Sequence, residues 1–254
     1  MANPVLERIL ATQAVSDGDQ AFDLRHPEFP DRFSHVGRST GELLKRAVAE
    51  IRPQVSLEVG LAYGVSTLYI CEAIAALAAP GIHIVLDPFQ NGKWRGIGLR
   101  NLEQAGYRHL VEFHEERSET VLPRFVAEER RVDLAFIDGL HRYDQAFVEF
   151  YFVNRLLRPG GVVLFDDAAR RSVKRVIRHA LTYPCYELYA STESAPPGSL
   201  LGKLRARAGR LASVRRIVRP DVLTRDWELG VLGRCVGLRK IAEDQRTHHW
   251  DAEF

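Results

Sequence analysis

From residue 55 to residue 181 the chain keeps one rhythm: short apolar runs alternate with longer segments whose apolar positions recur at helical spacing. Val55–Val59, Ile82–Leu86, Leu110–Phe113, Val132–Ile137 and Val162–Phe165 read as strands. Val65–Leu77, Trp94–Gln104, Ser118–Glu129, Tyr143–Leu157 and Ser172–Leu181 read as the helices that follow them. Pro80-Gly81, Gly106 and Pro159-Gly160-Gly161 punctuate the alternation. Strands that alternate with helices of this length imply right-handed crossovers and a parallel sheet buried on both faces. The ending differs. Cys185–Tyr189 and Val231–Ile241 read as strands with no strand-to-helix crossover between them, so they are expected to pair antiparallel at a sheet edge. The expected fold is therefore α/β, doubly wound, with a mostly parallel seven-stranded sheet and an antiparallel edge strand.

The flanks read differently. Asn3–Val15 has helical spacing, Ser16–Ser34 reads as loop, and Ser39-Thr40 reads as the cap of a helix running to Ile51. Residues 1–38 are thus an N-terminal helix and a substrate or cap segment, and residues 39–254 the main domain. That domain carries an insert at about 191–228. Within the insert, Ser199–Arg219 holds seven Lys or Arg and no Asp or Glu, and its leucines (Leu200, Leu204, Leu211) fall on one helical face. The net charge of +2 hides this segregation: without that stretch the chain is acidic. A basic amphipathic helix can pack on its own domain, form a homodimer contact or meet a membrane surface. Phosphate binding by the insert makes a nucleic-acid-associated or noncatalytic module the alternative reading. The stretch has no aromatic residue on which bases could stack, which counts against nucleic acid.

Composition narrows the class. Hydrophobic residues make up 46% and charged residues 27%, as in an ordinary globular protein. No apolar run is long enough to span a membrane, and no leader-like apolar stretch opens the chain, so a cytoplasmic location is expected. Cys71, Cys185 and Cys235 are widely spaced and read as buried thiols.

The chemistry gathers at the ends of the strands, where open α/β sheets bind ligands. The first strand leads into Glu58-Val59-Gly60-Leu61-Ala62-Tyr63-Gly64-Val65-Ser66-Thr67. Gly60 and Gly64 allow a tight turn, and Ser66 and Thr67 open a helix whose free N–H groups favour an anionic group. Glu58 repels a pyrophosphate but can hold a cationic amino group, and the third glycine of a dinucleotide fingerprint is missing. Both features favour S-adenosylmethionine. Asp87 ends the second strand, where a carboxylate can accept ribose hydroxyls or merely cap the strand. Ser118 can meet an adenine edge or merely cap its helix. Asp138, Asp166 and Asp167 stand at neighbouring strand ends. Three oxygen ligands suit Mg²⁺ or Mn²⁺. His141 lies three residues past Asp138, where a neutral imidazole can take a proton.

Three motifs in order resemble those of class I S-adenosylmethionine-dependent methyltransferases, which have a Rossmann-like fold. They are Glu58-Val-Gly-x-x-x-Gly-x-Ser, Ile137-Asp-Gly-x-His-x-Tyr and Pro159-Gly-Gly-x-x-x-x-Asp-Asp. More narrowly, the chain resembles the metal-dependent O-methyltransferases of the catechol, caffeoyl-CoA and macrocin types. The resemblance implies cofactor contacts at Glu58, Gly60, Ser66, Asp87, Ser118 and Asp138, and Tyr63, Gly64 and Thr67 of the same turn and helix start are further cofactor-binding candidates. It implies metal ligands at Asp138, Asp166 and Asp167, with Mg²⁺ or Mn²⁺ lowering the pKa of a small-molecule hydroxyl acceptor. The catechol type has Asn where Asp167 stands and a lysine base where His141 stands. Asp138 and His141 are the catalytic candidates.

Overall fold

The structure, a computed structural model, describes residues 3–12, 14–17, 20–23, 36–193 and 225–250. Helix α1 (Pro4–Thr12) is followed by a small hairpin, β1 (Ala14–Asp17) and β2 (Gln20–Asp23), paired antiparallel with Ala14 opposite Asp23. Both strands depart from the spacing, which puts Ala14 and Val15 in the first helix and the residues from Ser16 on in a loop. Strands of four residues are too short to show a period, although Asp17-Gly18 is a hairpin signal as well as a loop signal.

The main sheet is built from β3 (Val55–Val59), β4 (Ile82–Leu86), β5 (Val111–His114), β6 (Val132–Ile137), β7 (Leu157–Phe165), β8 (Tyr186–Ser191) and β9 (Val236–Lys240). Its spatial order is β5-β4-β3-β6-β7-β9-β8. The first five of these run parallel, and β9 lies antiparallel to both β7 and β8. The last two strands thus pair antiparallel at the sheet edge, as expected, with β9 the reversed strand and β8 outermost. The order departs from the chain sequence where β3 neighbours both β4 and β6, which opens a crevice at their carboxyl ends.

Alternate residues feed two cores. Along β6, Leu134 and Phe136 join α1, α2 (Arg38–Ile51) and α3 (Val65–Ala75) in one layer. Ala135 and Ile137 face α5 (Ser118–Ala127), α6 (Tyr143–Leu156) and α7 (Arg171–Ala180) in the other. Helix α4 (Ile97–Gln104) completes the first layer. Gly37, not Ser39, caps α2, and no side chain caps that end. All three cysteines are buried and free, as read from the sequence. The basic stretch 199–219, with its expected amphipathic helix, lies outside the described residues.

Candidate active site

A cavity of about 470 Å³ opens at the carboxyl ends of β3, β4, β6 and β7. The turn after β3 forms its floor. Gly60 (φ 99°) and Ala62 (φ 46°) both adopt left-handed backbone conformations there. Glycine is required at 60 for a second reason: a Cβ would stand 2.3 Å from the carbonyl oxygen of Asp138. Gly64 (φ 78°) begins α3.

Asp87 organises this turn. Its Oδ2 accepts the backbone N–H groups of Leu61 (3.1 Å) and Ala62 (2.8 Å), and its Oδ1 accepts that of Phe89 (2.8 Å). The capping role and the cavity-lining role thus coincide in one carboxylate. Burial raises its pKa, against the pull of those amides. Oδ2 is filled by its two amides, and Oδ1 retains one acceptor site.

Gly60, Ser66, Asp87, Ser118 and Asp138 line the cavity, as the sequence suggested. Tyr63, Gly64 and Thr67 are not among its lining residues. Tyr63 packs edge-on against Trp94, with ring centroids 5.1 Å apart. Glu58 also departs from expectation. It is wholly buried and receives hydrogen bonds from the Ser66 hydroxyl and the Thr67 hydroxyl (2.6 Å), while His83 Nε2 lies 2.8 Å away. His83 Nδ1 in turn meets Ser56 Oγ at 2.9 Å. Strand alternation explains the correction: Leu57 and Val59 enter the other core, so Glu58 points toward the α3 layer. It ties β3 to β4 and to the start of α3, and does not face the cavity.

Near the α5 end of the cavity stands a group that sequence reasoning missed. Glu149 Oε1 accepts the Ser118 hydroxyl (2.8 Å) and Gln145 Nε2 (3.1 Å). Burial pushes the Glu149 carboxyl up to about 7. The residue sits mid-helix on α6, where an acid reads as an ordinary surface position.

At the other end stand the acids. His141 Nε2 lies 3.6 Å from both Asp138 Oδ1 and Asp167 Oδ2. His141 (φ 52°) and Asp167 (φ 50°) hold left-handed backbones that only a surrounding scaffold sustains. Burial lowers the His141 pKa, opposed by Asp167, so the ring is neutral at pH 7. Burial pushes Asp138 well above the usual carboxylate range. Asp166 rises to about 6 by burial, held down by Arg234. Arg234 Nε and Nη2 each lie 3.1 Å from Asp166 Oδ2, and Nε lies 3.7 Å from Asp167 Oδ1. Arg170 Nε donates to Asp167 Oδ2 at 2.6 Å. Asp166 is 1% exposed and does not line the cavity, whereas Asp138, Asp167, Arg170 and Arg234 do.

The expected three-carboxylate ion site is therefore not met in this geometry. Among the described residues no group of three or more His, Cys, Asp or Glu is arranged to hold a metal ion. Two guanidinium groups stand against the carboxylates instead.

Comparison with known proteins places this site in context. A methyltransferase domain model matches residues 57–168. The chain is 28% identical over 166 residues to a transmembrane O-methyltransferase homolog of Mus musculus, covering 64% of this chain and 62% of that protein. The chain thus spans just under two thirds of that relative's length. It is also 28% identical over 137 residues to the catechol O-methyltransferase of Bos taurus, covering 52% of this chain and 48% of the relative. Among solved structures it resembles an O-methyltransferase from Bacillus cereus determined with S-adenosylhomocysteine. That likeness has a TM-score of 0.59 and 20% identity, over 74% of this chain and 83% of the other. Among the described residues no helix is long and apolar enough to cross a membrane.

Proposed function

We propose that the chain is a class I S-adenosylmethionine-dependent methyltransferase that methylates a hydroxyl group of a small molecule. One observation carries the reading: the Gly60 turn, Asp87 and Ser118 converge on the same cavity as His141 and Asp138. The cavity's volume suits a nucleoside-sized ligand with a small acceptor beside it. S-adenosylmethionine supplies a methyl group on a sulfonium sulfur.

In this reading the chain's residues bind, orient and move one proton. The backbone of the Gly60 turn, kept in place by Asp87, lies along the methionine and ribose portion. Asp87 accepts a ribose hydroxyl at the remaining acceptor site of Oδ1. Ser118 and Gln145 meet the adenine edge. Neutral His141 takes the proton from the acceptor hydroxyl, and Asp138 and Asp167 flank the resulting imidazolium at 3.6 Å. The catalytic gain comes chiefly from alignment of acceptor oxygen and methyl group.

A divalent ion does not fit the acids as they stand. Asp166 faces Arg234, and Asp167 is shared between Arg170 and Arg234. An ion ligated by both would have to displace a guanidinium, so no step is derived through one.

The test is transfer of a labelled methyl group from S-adenosylmethionine to parallel panels of hydroxyl and amine acceptors. Label in hydroxyl products, and in none of the amines, is the expected result. Label only in amines would reject the hydroxyl assignment.

A further inference from the structure

We propose that the guanidinium of Arg234 is the resident cation of this site and takes the place on Asp166 and Asp167 that a divalent ion would need. The inference rests on the methyl-transfer reading of the cavity and concerns how that same site is held together.

The fold puts Arg234 there by strand register. Val236 of β9 pairs with Phe165 of β7, and Gly237 with Leu164. Past the strand end Asp167 (φ 50°) breaks the extended backbone and the pairing slips by one residue, so that the carbonyl of Arg234 accepts the N–H of Ala168 at 2.7 Å and Arg234 stands beside Asp166 and Asp167. On the other side, the N–H of Arg234 donates to Thr192 Oγ1 at 3.0 Å. Gly233 (φ 76°) makes the turn that allows this, and a Cβ there would stand 2.4 Å from Thr192 Oγ1. The backbone of the arginine is therefore anchored on both sides, which starts its side chain beside the acids.

Charge accounts for the rest. Two adjacent carboxylates, one of them 1% exposed, repel each other unless a cation stands between them. Arg234 meets both, and Arg170 meets the other oxygen of Asp167. Two guanidinium groups already match these two carboxylates. A dication added beside them would feel strong like-charge repulsion in a half-buried site. A guanidinium also keeps its charge at every relevant pH, so the acids retain their partner without any dependence on metal supply. Arg234 is thus a positioning residue for Asp167 and, through it, for His141.

The test uses Mn²⁺ alone as the probe, titrated into the full-length protein and into Arg234→Met and Arg234→Gln. The wild type should show no saturable Mn²⁺ binding and no rise in melting temperature with Mn²⁺, and its methyl transfer should be unchanged by EDTA. Arg234→Met, which keeps the length of the side chain, should bind Mn²⁺ at least about tenfold more tightly than the wild type and melt higher in its presence. Saturable Mn²⁺ binding by the wild type, equal to that of the variants, would overturn the proposal. So would loss of wild-type activity in EDTA with recovery on added Mn²⁺. The wild-type titration decides the matter even if both variants fail to fold. S-adenosylhomocysteine titrated in parallel reports on the methyl-transfer reading separately, because its cradle at Gly60, Asp87 and Ser118 does not include Arg234.

Discussion

Gly60 and Asp138 are in backbone contact: any Cβ at position 60 would sit 2.3 Å from the Asp138 carbonyl oxygen. The contact joins the turn at the floor of the cavity to the strand end that carries the acids. Gly60→Val should therefore act first on the fold. The positive φ and the clash together should cost about 2–5 kcal/mol in urea unfolding. A variant as stable as the wild type would mean that the turn relaxes, and that any lost cofactor binding is a direct effect.

Glu58 gives a second prediction of the same kind. Glu58→Ala leaves His83 and the Ser66 and Thr67 hydroxyls without their shared buried acceptor. The expected loss is about 3 kcal/mol in chemical unfolding. At temperatures where the variant remains folded, its affinity for S-adenosylhomocysteine should change by no more than a fewfold. A large loss of affinity without a loss of stability would return Glu58 to the cofactor.

Glu149 should make stability fall as the pH rises. Its carboxyl is pushed up to about 7 in the fold, against an ordinary 4.5 in the unfolded chain. The protonated form is favoured by folding. Its contribution is complete below pH 4.5 and lost as pH rises through about 7. The wild type should lose of the order of 3 kcal/mol from this group between pH 4.5 and 8. Glu149→Gln should remove that slope, measured by urea unfolding at a series of pH values. Parallel profiles for the two proteins would contradict the burial argument.

His141 should be needed for turnover and not for cofactor binding. His141→Ala should lower kcat by roughly 10²–10⁴-fold if the imidazole takes the acceptor's proton. Burial lowers its pKa, so the wild-type rate should level off with rising pH below the ordinary imidazole value of 6.5. His141→Ala should lack that acid limb. An unchanged rate in the variant would leave the proton to water or to the substrate.

The strand bounds of β3, β4 and β6 were legible to the residue, because mainly aliphatic runs closed by Gly60, Asp87 and Asp138 leave little freedom. Cavity-lining Asp87, Ser118, Asp138 and His141 were legible for the same reason: strand ends of an open sheet fix where side chains converge. The direction of Glu58 was open to the alternation rule, since Leu57 and Val59 claim the opposite face. Arg234 was not legible. It lies 68 residues from Asp166, on the far side of the basic insert, and only the antiparallel register of β9 brings them together. Glu149 was hidden because its burial depends on the packing of α5 against α6, which no local pattern reveals.

The most direct measurement is calorimetric titration of S-adenosylhomocysteine into the wild type and into Asp87→Ala. The wild type should bind one equivalent in the micromolar range, about −8 kcal/mol. Asp87→Ala should bind at least about tenfold more weakly, because the Gly60 turn loses the carboxylate that holds the N–H groups of Leu61 and Ala62. No binding of S-adenosylhomocysteine by the folded wild type, together with saturable binding of NAD, would contradict the account at its centre.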